Sequence, residues 1–86
     1  KINLTVISNY SKIHCTNGKN LFDAKIGQII SIIALNKHTE ISTEGLKYEL
    51  GKNRLSSPGN GISNMATSTK IMIESNDWIW IFLNHI

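Results

Sequence analysis

Three histidines, one cysteine and six carboxylates are the groups in this 86-residue chain that could hold a metal or move a proton. His14, Cys15, His38, His85 and Asp77 are scattered, with no Cys-x-x-Cys or His-x-x-x-His spacing to aim two ligands at one ion, so no metal site is expected. Cys15 reads as a small core residue on the face of Ile13, and His85 as an exposed residue near the end. Nucleophilic catalysis needs a Ser or Cys held against a His that a carboxylate orients. None of the nine serines sits in a Gly-x-Ser-x-Gly elbow, and neither Gly-rich phosphate cradle occurs; Gly59-Asn60-Gly61 is only a turn. No catalytic residue is therefore assigned.

Two polar stretches remain. Thr43-Glu44-Gly45-Leu46-Lys47-Tyr48-Glu49-Leu50 reads as a Gly turn running into a strand, with Leu46, Tyr48 and Leu50 on one face. Gly61-Ile62-Ser63-Asn64 follows a Pro-Gly loop. A strand end offering a hydroxyl and a carboxamide can hydrogen-bond a planar heterocycle; the same pair can equally cap a turn.

The elements that must position these groups are short β-favouring runs bounded by Asn, Gly, Asp, Ser or Pro, which predicts an all-β fold, an antiparallel β-sandwich or a barrel. Strands are expected at 3–8, 12–16, 26–35, 40–43, 46–50, 61–64, 69–75 and 78–83. Asn17-Gly18 is expected to fold residues 12–16 back onto the segment after Asn20, and Ser75-Asn76-Asp77 to join the last two strands as a hairpin. Residues 29–35 and 78–83 are apolar on both alternating faces, which means a central position or, the favoured reading, one face on the core and the other on a second chain or domain. In 78–83 the split falls between Trp78 and Trp80 on one side and Ile79 and Ile81 on the other.

Composition bounds the class. The chain has material for one domain, residues 1–86, and its 17% of charged residues against a usual figure of about 25% argues against a disordered polymer. The net charge of +3 comes from eight dispersed lysines and the lone Arg54, without the clustered Arg and interleaved aromatics of a nucleic-acid binder. One cysteine excludes an internal disulfide and fits a reducing, cytoplasmic setting. The longest apolar run, Ile29 to Leu35, is far below the roughly 20 residues of a membrane-spanning helix. The N-terminus, Lys1-Ile2-Asn3-Leu4, lacks an initiator Met and a signal-peptide layout, and reads as a piece of something longer.

Taken together and in order, three segments resemble the C-terminal, thiamin-binding domain of the thiamin pyrophosphokinases. Gly27-Gln28-Ile29-Ile30-Ser31-Ile32-Ile33-Ala34-Leu35 is similar to that family's G-x-x-I-S-L-I-P-L strand, Thr43–Leu50 to its T-x-G-L-K-Y/W-x-L, and Gly61-Ile62-Ser63-Asn64 to its G/S-x-S-N. The resemblance implies a β-sandwich of jelly-roll type that follows an N-terminal nucleotide-binding α/β domain, which is absent from this chain.

It further implies a homodimer in which the complete enzyme transfers diphosphate from ATP to thiamin, giving thiamin diphosphate and AMP, with Mg2+ at the phosphates. ATP and Mg2+ would lie mainly outside this chain, and the 86 residues alone would be inactive. Carried over by position, Ser63 and Asn64 become thiamin contacts, with Gly61 and Ile62 as backbone or packing support. Animal members place a stacking aromatic shortly after the Ser-Asn pair. Here Met65-Ala66-Thr67-Ser68-Thr69 offers none, leaving Met65 to pack on a ring through its polarisable sulfur. The competing reading is a free-standing β-sandwich that binds a small ligand or a protein.

Overall fold

The computed structural model describes residues 2–7, 11–36, 38–51, 53–54 and 61–84. His85, Pro58 and the Ser56–Asn60 turn lie outside the described residues. Every regular element among the described residues is a strand: β1 (Ile2–Ile7), β2 (Ser11–Asp23), β3 (Ile29–Ala34), β4 (Glu40–Glu44), β5 (Asn53–Arg54), β6 (Gly61–Met65) and β7 (Lys70–Asn84). All pairings are antiparallel, in the order β1-β2-β7-β3-β6, with β4 joining β7 beside β3 and carrying β5.

The expected all-β antiparallel architecture stands, but two expected hairpins do not. β2 and β7 each run unbroken through their turn signals and pair along their whole length, from Ser11↔Asn84 to Thr16↔Ile79 and again from Gly18↔Ser75 to Asp23↔Lys70. Between these ladders β7 carries Asn76, Asp77 and Trp78 where β2 carries only Asn17. The two signals face each other across the pair. Both strands therefore kink at one place, and neither has to reverse. Gly18 supplies the positive φ of 70°, and Asn20 Nδ2 donates to the Asn17 carbonyl at 2.9 Å.

The kink folds the sheet onto itself. An extended strand would separate His14 from Phe22 by about 26 Å, at roughly 3.3 Å per residue, yet their ring centroids are 5.1 Å apart. On the far edge of β7, β4 pairs with the segment before the kink and β3 with the segment after it. One core fills the space between the two halves: Phe22, Ile41, Ile71 and Ile73 from one, Ile30, Ile32, Ala34, Ile79, Ile81 and Leu83 from the other. Each fully buried Ile contributes about 1.5–3 kcal/mol by leaving water.

Ile79 and Ile81 are fully buried and the Trp78/Trp80 side is half-buried, so the core half of the split read from alternation stands. Cys15 is a correction. It is half-buried on the outer face, registered between Leu4 and Trp80, because His14 and Thr16 take the inward positions of β2. The strand expected from residue 26 begins at Ile29, since Ile26 and Gly27 form a turn in which Gly27 has φ 92°.

Candidate functional site

The chain between β4 and the end of β6 brings together the two polar stretches singled out in the sequence. Residues 46–50 do not form the expected strand; they turn, with Leu46 in a lone bridge to Ala66. Leu46 is buried while Tyr48 is 61% exposed, so they share no face. Gly45 starts the turn with φ 92°, and a Cβ there would stand 2.7 Å from the Lys70 carbonyl oxygen.

Side chains then replace strand pairing. The Glu49 carboxylate accepts from Thr43 Oγ1 at 2.9 Å, from the Gly45 N–H at 2.9 Å and from the Leu46 N–H at 3.0 Å. Thr43 and Leu50 close the loop: the Thr43 N–H donates to the Leu50 carbonyl at 2.8 Å, and the Leu50 N–H to Thr43 Oγ1 at 2.9 Å. A β ladder uses backbone groups alone, whereas here a carboxylate and a hydroxyl satisfy donors that the turn leaves open.

β6 receives this turn on its C-terminal end. Asn64 is buried at 3% exposure, and its carboxamide spans the junction. Its Nδ2 donates to the Tyr48 carbonyl at 2.7 Å, and its Oδ1 accepts from the Tyr48 N–H at 3.0 Å and the Met65 N–H at 2.9 Å. Lys47 N–H donates to the Met65 carbonyl at 2.9 Å, and Thr67 N–H to the Gly45 carbonyl at 2.8 Å. Leaving such buried groups unpaired costs about 1–3 kcal/mol each, so this junction is well specified.

Gly61, Ile62 and Ser63 pair with Ile33, Ile32 and Ser31 of β3. Their backbones belong to β6, and their side chains lie outside the described residues. Met65 is half-buried beside Ile29. The structure thus gathers Asn64, Met65 and the 43–50 turn into one corner.

The placement that sequence reasoning missed is that of Tyr48. Strand alternation assigns its ring to a shared apolar face; Asn64 instead clamps its backbone on both sides and leaves the ring outside. Lys47 Nζ lies 5.4 Å from the ring centroid, a cation–π contact within the turn. Its sequence signal was the Lys47-Tyr48 pair next to Glu49, but the Asn64 partner sits 16 residues away and no local pattern announces it.

A family model described as thiamin pyrophosphokinase, vitamin B1 binding domain, matches residues 11–80. The fold resembles a crystal structure of thiamin pyrophosphokinase from Geobacillus thermodenitrificans at a TM-score of 0.76 and 15% identity, covering 95% of this chain and 40% of that one. Thiamine pyrophosphokinase from Bacillus subtilis is similar at a TM-score of 0.73 and 18% identity, over 93% and 39% of the two chains. The Candida albicans enzyme matches at 0.73 and 15%, over 95% and 32%. The chain thus spans about two fifths or less of the length of these structures. No curated protein sequence gave a match.

Proposed function

The chain belongs to the vitamin B1-binding domain family of the thiamin pyrophosphokinases, and from that premise we propose that the corner of β6 and the 43–50 turn forms one wall of a thiamin pocket. The observation that carries this reading is the Asn64 clamp, which holds an exposed aromatic ring beside the strand that bears Ser63. Thiamin joins an aminopyrimidine to a positively charged thiazolium. A fixed, electron-rich ring suits such a cation, and polar strand groups suit the aminopyrimidine edge. Asn64 serves this wall as the clamp of Tyr48, its Oδ1 and Nδ2 taken by the Tyr48 and Met65 backbone, while Ser63 is its polar contact, Gly61 and Ile62 its backbone support, Met65 a soft apolar contact and Tyr48 the stacking surface that the segment after Asn64 lacks.

In the complete protein the pocket would serve transfer of diphosphate from ATP to thiamin, yielding thiamin diphosphate and AMP in a cytoplasmic setting. The residues described here do not fit a Mg2+–phosphate site. No three His, Cys, Asp or Glu side chains converge among them, Glu49 is committed to its own turn, and Asp23 pairs with Lys70. As the resemblance implies, phosphate chemistry is proposed to lie in a separate nucleotide-binding domain, and the folded sheet is taken as a sandwich of jelly-roll type. A homodimer is proposed through the outer sheet face. There Leu4, Cys15, Trp80 and Ile33 form one row and Val6, Ile13 and Phe82 another, with Leu4 46% and Val6 42% exposed. Sedimentation equilibrium tests the dimer, and a monomer at all concentrations would rule it out.

Thiamin titration of the full-length protein tests the pocket. Tyr48→Ala and Asn64→Ala should each weaken thiamin binding about tenfold or more, on the scale of one lost stacking contact or clamp, with the β-sheet circular dichroism retained. Unchanged affinity in both variants would remove this corner from the site.

A further inference from the structure

Glu49 is surface-exposed and carries charge, which in most turns means solvation and nothing else. Here both carboxylate oxygens instead point back into the residue's own loop, onto Thr43 Oγ1, the Gly45 N–H and the Leu46 N–H. Those donors belong to the entry of the turn; Tyr48, immediately before Glu49, is its outermost ring. The turn is anchored on one side by Glu49 and on the other by Asn64, and Tyr48 lies between the anchors with its backbone N–H and carbonyl both occupied.

We infer that Glu49 is a positioning residue of the ligand site, setting where the Tyr48 ring stands through its grip on Gly45 and Leu46. The inference rests on the thiamin-pocket reading above. Pre-setting a ring before the ligand arrives lowers the ordering cost of binding, so the effect should fall on affinity and not on the transfer step.

The charge matters as well as the shape. In Glu49→Gln one oxygen can keep two of the three bonds, but the amide nitrogen then meets the Gly45 N–H, donor against donor. Glu49→Ala loses all three. The two variants should therefore form a graded series.

The experiment is steady-state kinetics with thiamin and ATP on the full-length protein, together with amide hydrogen exchange of the same samples without thiamin. The expected result is a thiamin KM raised about threefold in Glu49→Gln and about tenfold in Glu49→Ala with kcat within about twofold. Exchange at Gly45, Leu46 and Tyr48 should speed up in the same order while β7 stays protected. A KM that does not move while the loop amides loosen would overturn the inference, as would loosening throughout β7 with a falling kcat, which is global destabilisation. Wild-type protein that shows no saturation by thiamin would instead remove the pocket reading itself, and the inference with it.

Discussion

Two corners of this molecule use the same vocabulary of Asn, Gly and acidic residues and reach opposite results. At the kink of β2 and β7, Asn17-Gly18 faces Asn76-Asp77-Trp78, and backbone pairing continues on both sides. At the 43–50 corner, backbone pairing shrinks to the Leu46–Ala66 bridge with the bonds of Lys47 to Met65 and Thr67 to Gly45, and side chains from Thr43, Glu49 and Asn64 take over. The first corner bends a sheet around its core. The second holds an exposed ring. A turn signal that meets another across a ladder becomes a bulge, whereas one that must satisfy its own donors becomes a rigid projection suited to binding.

The glycines give the largest way to break this contrast. Gly45→Ala combines a left-handed backbone with a Cβ placed 2.7 Å from a carbonyl oxygen, and should cost roughly 2–5 kcal/mol in chemical denaturation. Gly18→Ala, at φ 70° in the kink, should cost about 1–2 kcal/mol, the strain of a left-handed backbone alone. Gly27→Ala sets the baseline: its φ is 92°, yet nothing lies within 4 Å of the added carbon. Equal losses at Gly45 and Gly27 would mean that the close approach to Lys70 does not govern the second corner.

Much of this was legible beforehand, and the misses share a cause. Short β-favouring runs between turn residues located β1, β3, β4 and β6 to within a few residues, and period-two alternation separated Ile79 and Ile81 from Trp78 and Trp80, because one buried face imposes that period on β7. It did not show that residues 70–84 form one strand. Whether Ser75-Asn76-Asp77 reverses the chain depends on what stands opposite, and that is Asn17, nearly sixty residues earlier in the chain. The segment 46–50 alternates like a strand but turns, because Glu49 can reach the Gly45 and Leu46 N–H groups more readily than any partner strand can. Ser63-Asn64 was open to reading as a cap or as a ligand edge, and Asn64 is a clamp whose partners, Tyr48 N–H and carbonyl, could not be named from spacing.

The smallest expected effect sharpens the contrast through acid. His14 sits inside the kink, 6% exposed, with Nδ1 3.0 Å from Thr5 Oγ1 and its ring against Phe22 across the fold. Burial, and then the charge of Lys12, hold its pKa below the ordinary value of 6.5. The unfolded chain therefore binds a proton more readily than the folded one, so folding stability is full above about pH 6.5 and declines as the pH falls from there toward the lowered folded value. The Thr5 contact does not cancel this, since a protonated ring can still donate from Nδ1 to the hydroxyl; the cost is that of charging a buried ring beside Lys12. Urea melts at pH 7.5 and 5.5 should show the loss, and His14→Gln should flatten the part of the slope due to this ring. The 43–50 corner contains no histidine. Its amide protection should hold across the same interval relative to that of the kink, and a corner that loosened first would place the acid-sensitive element at the wrong end of the sheet.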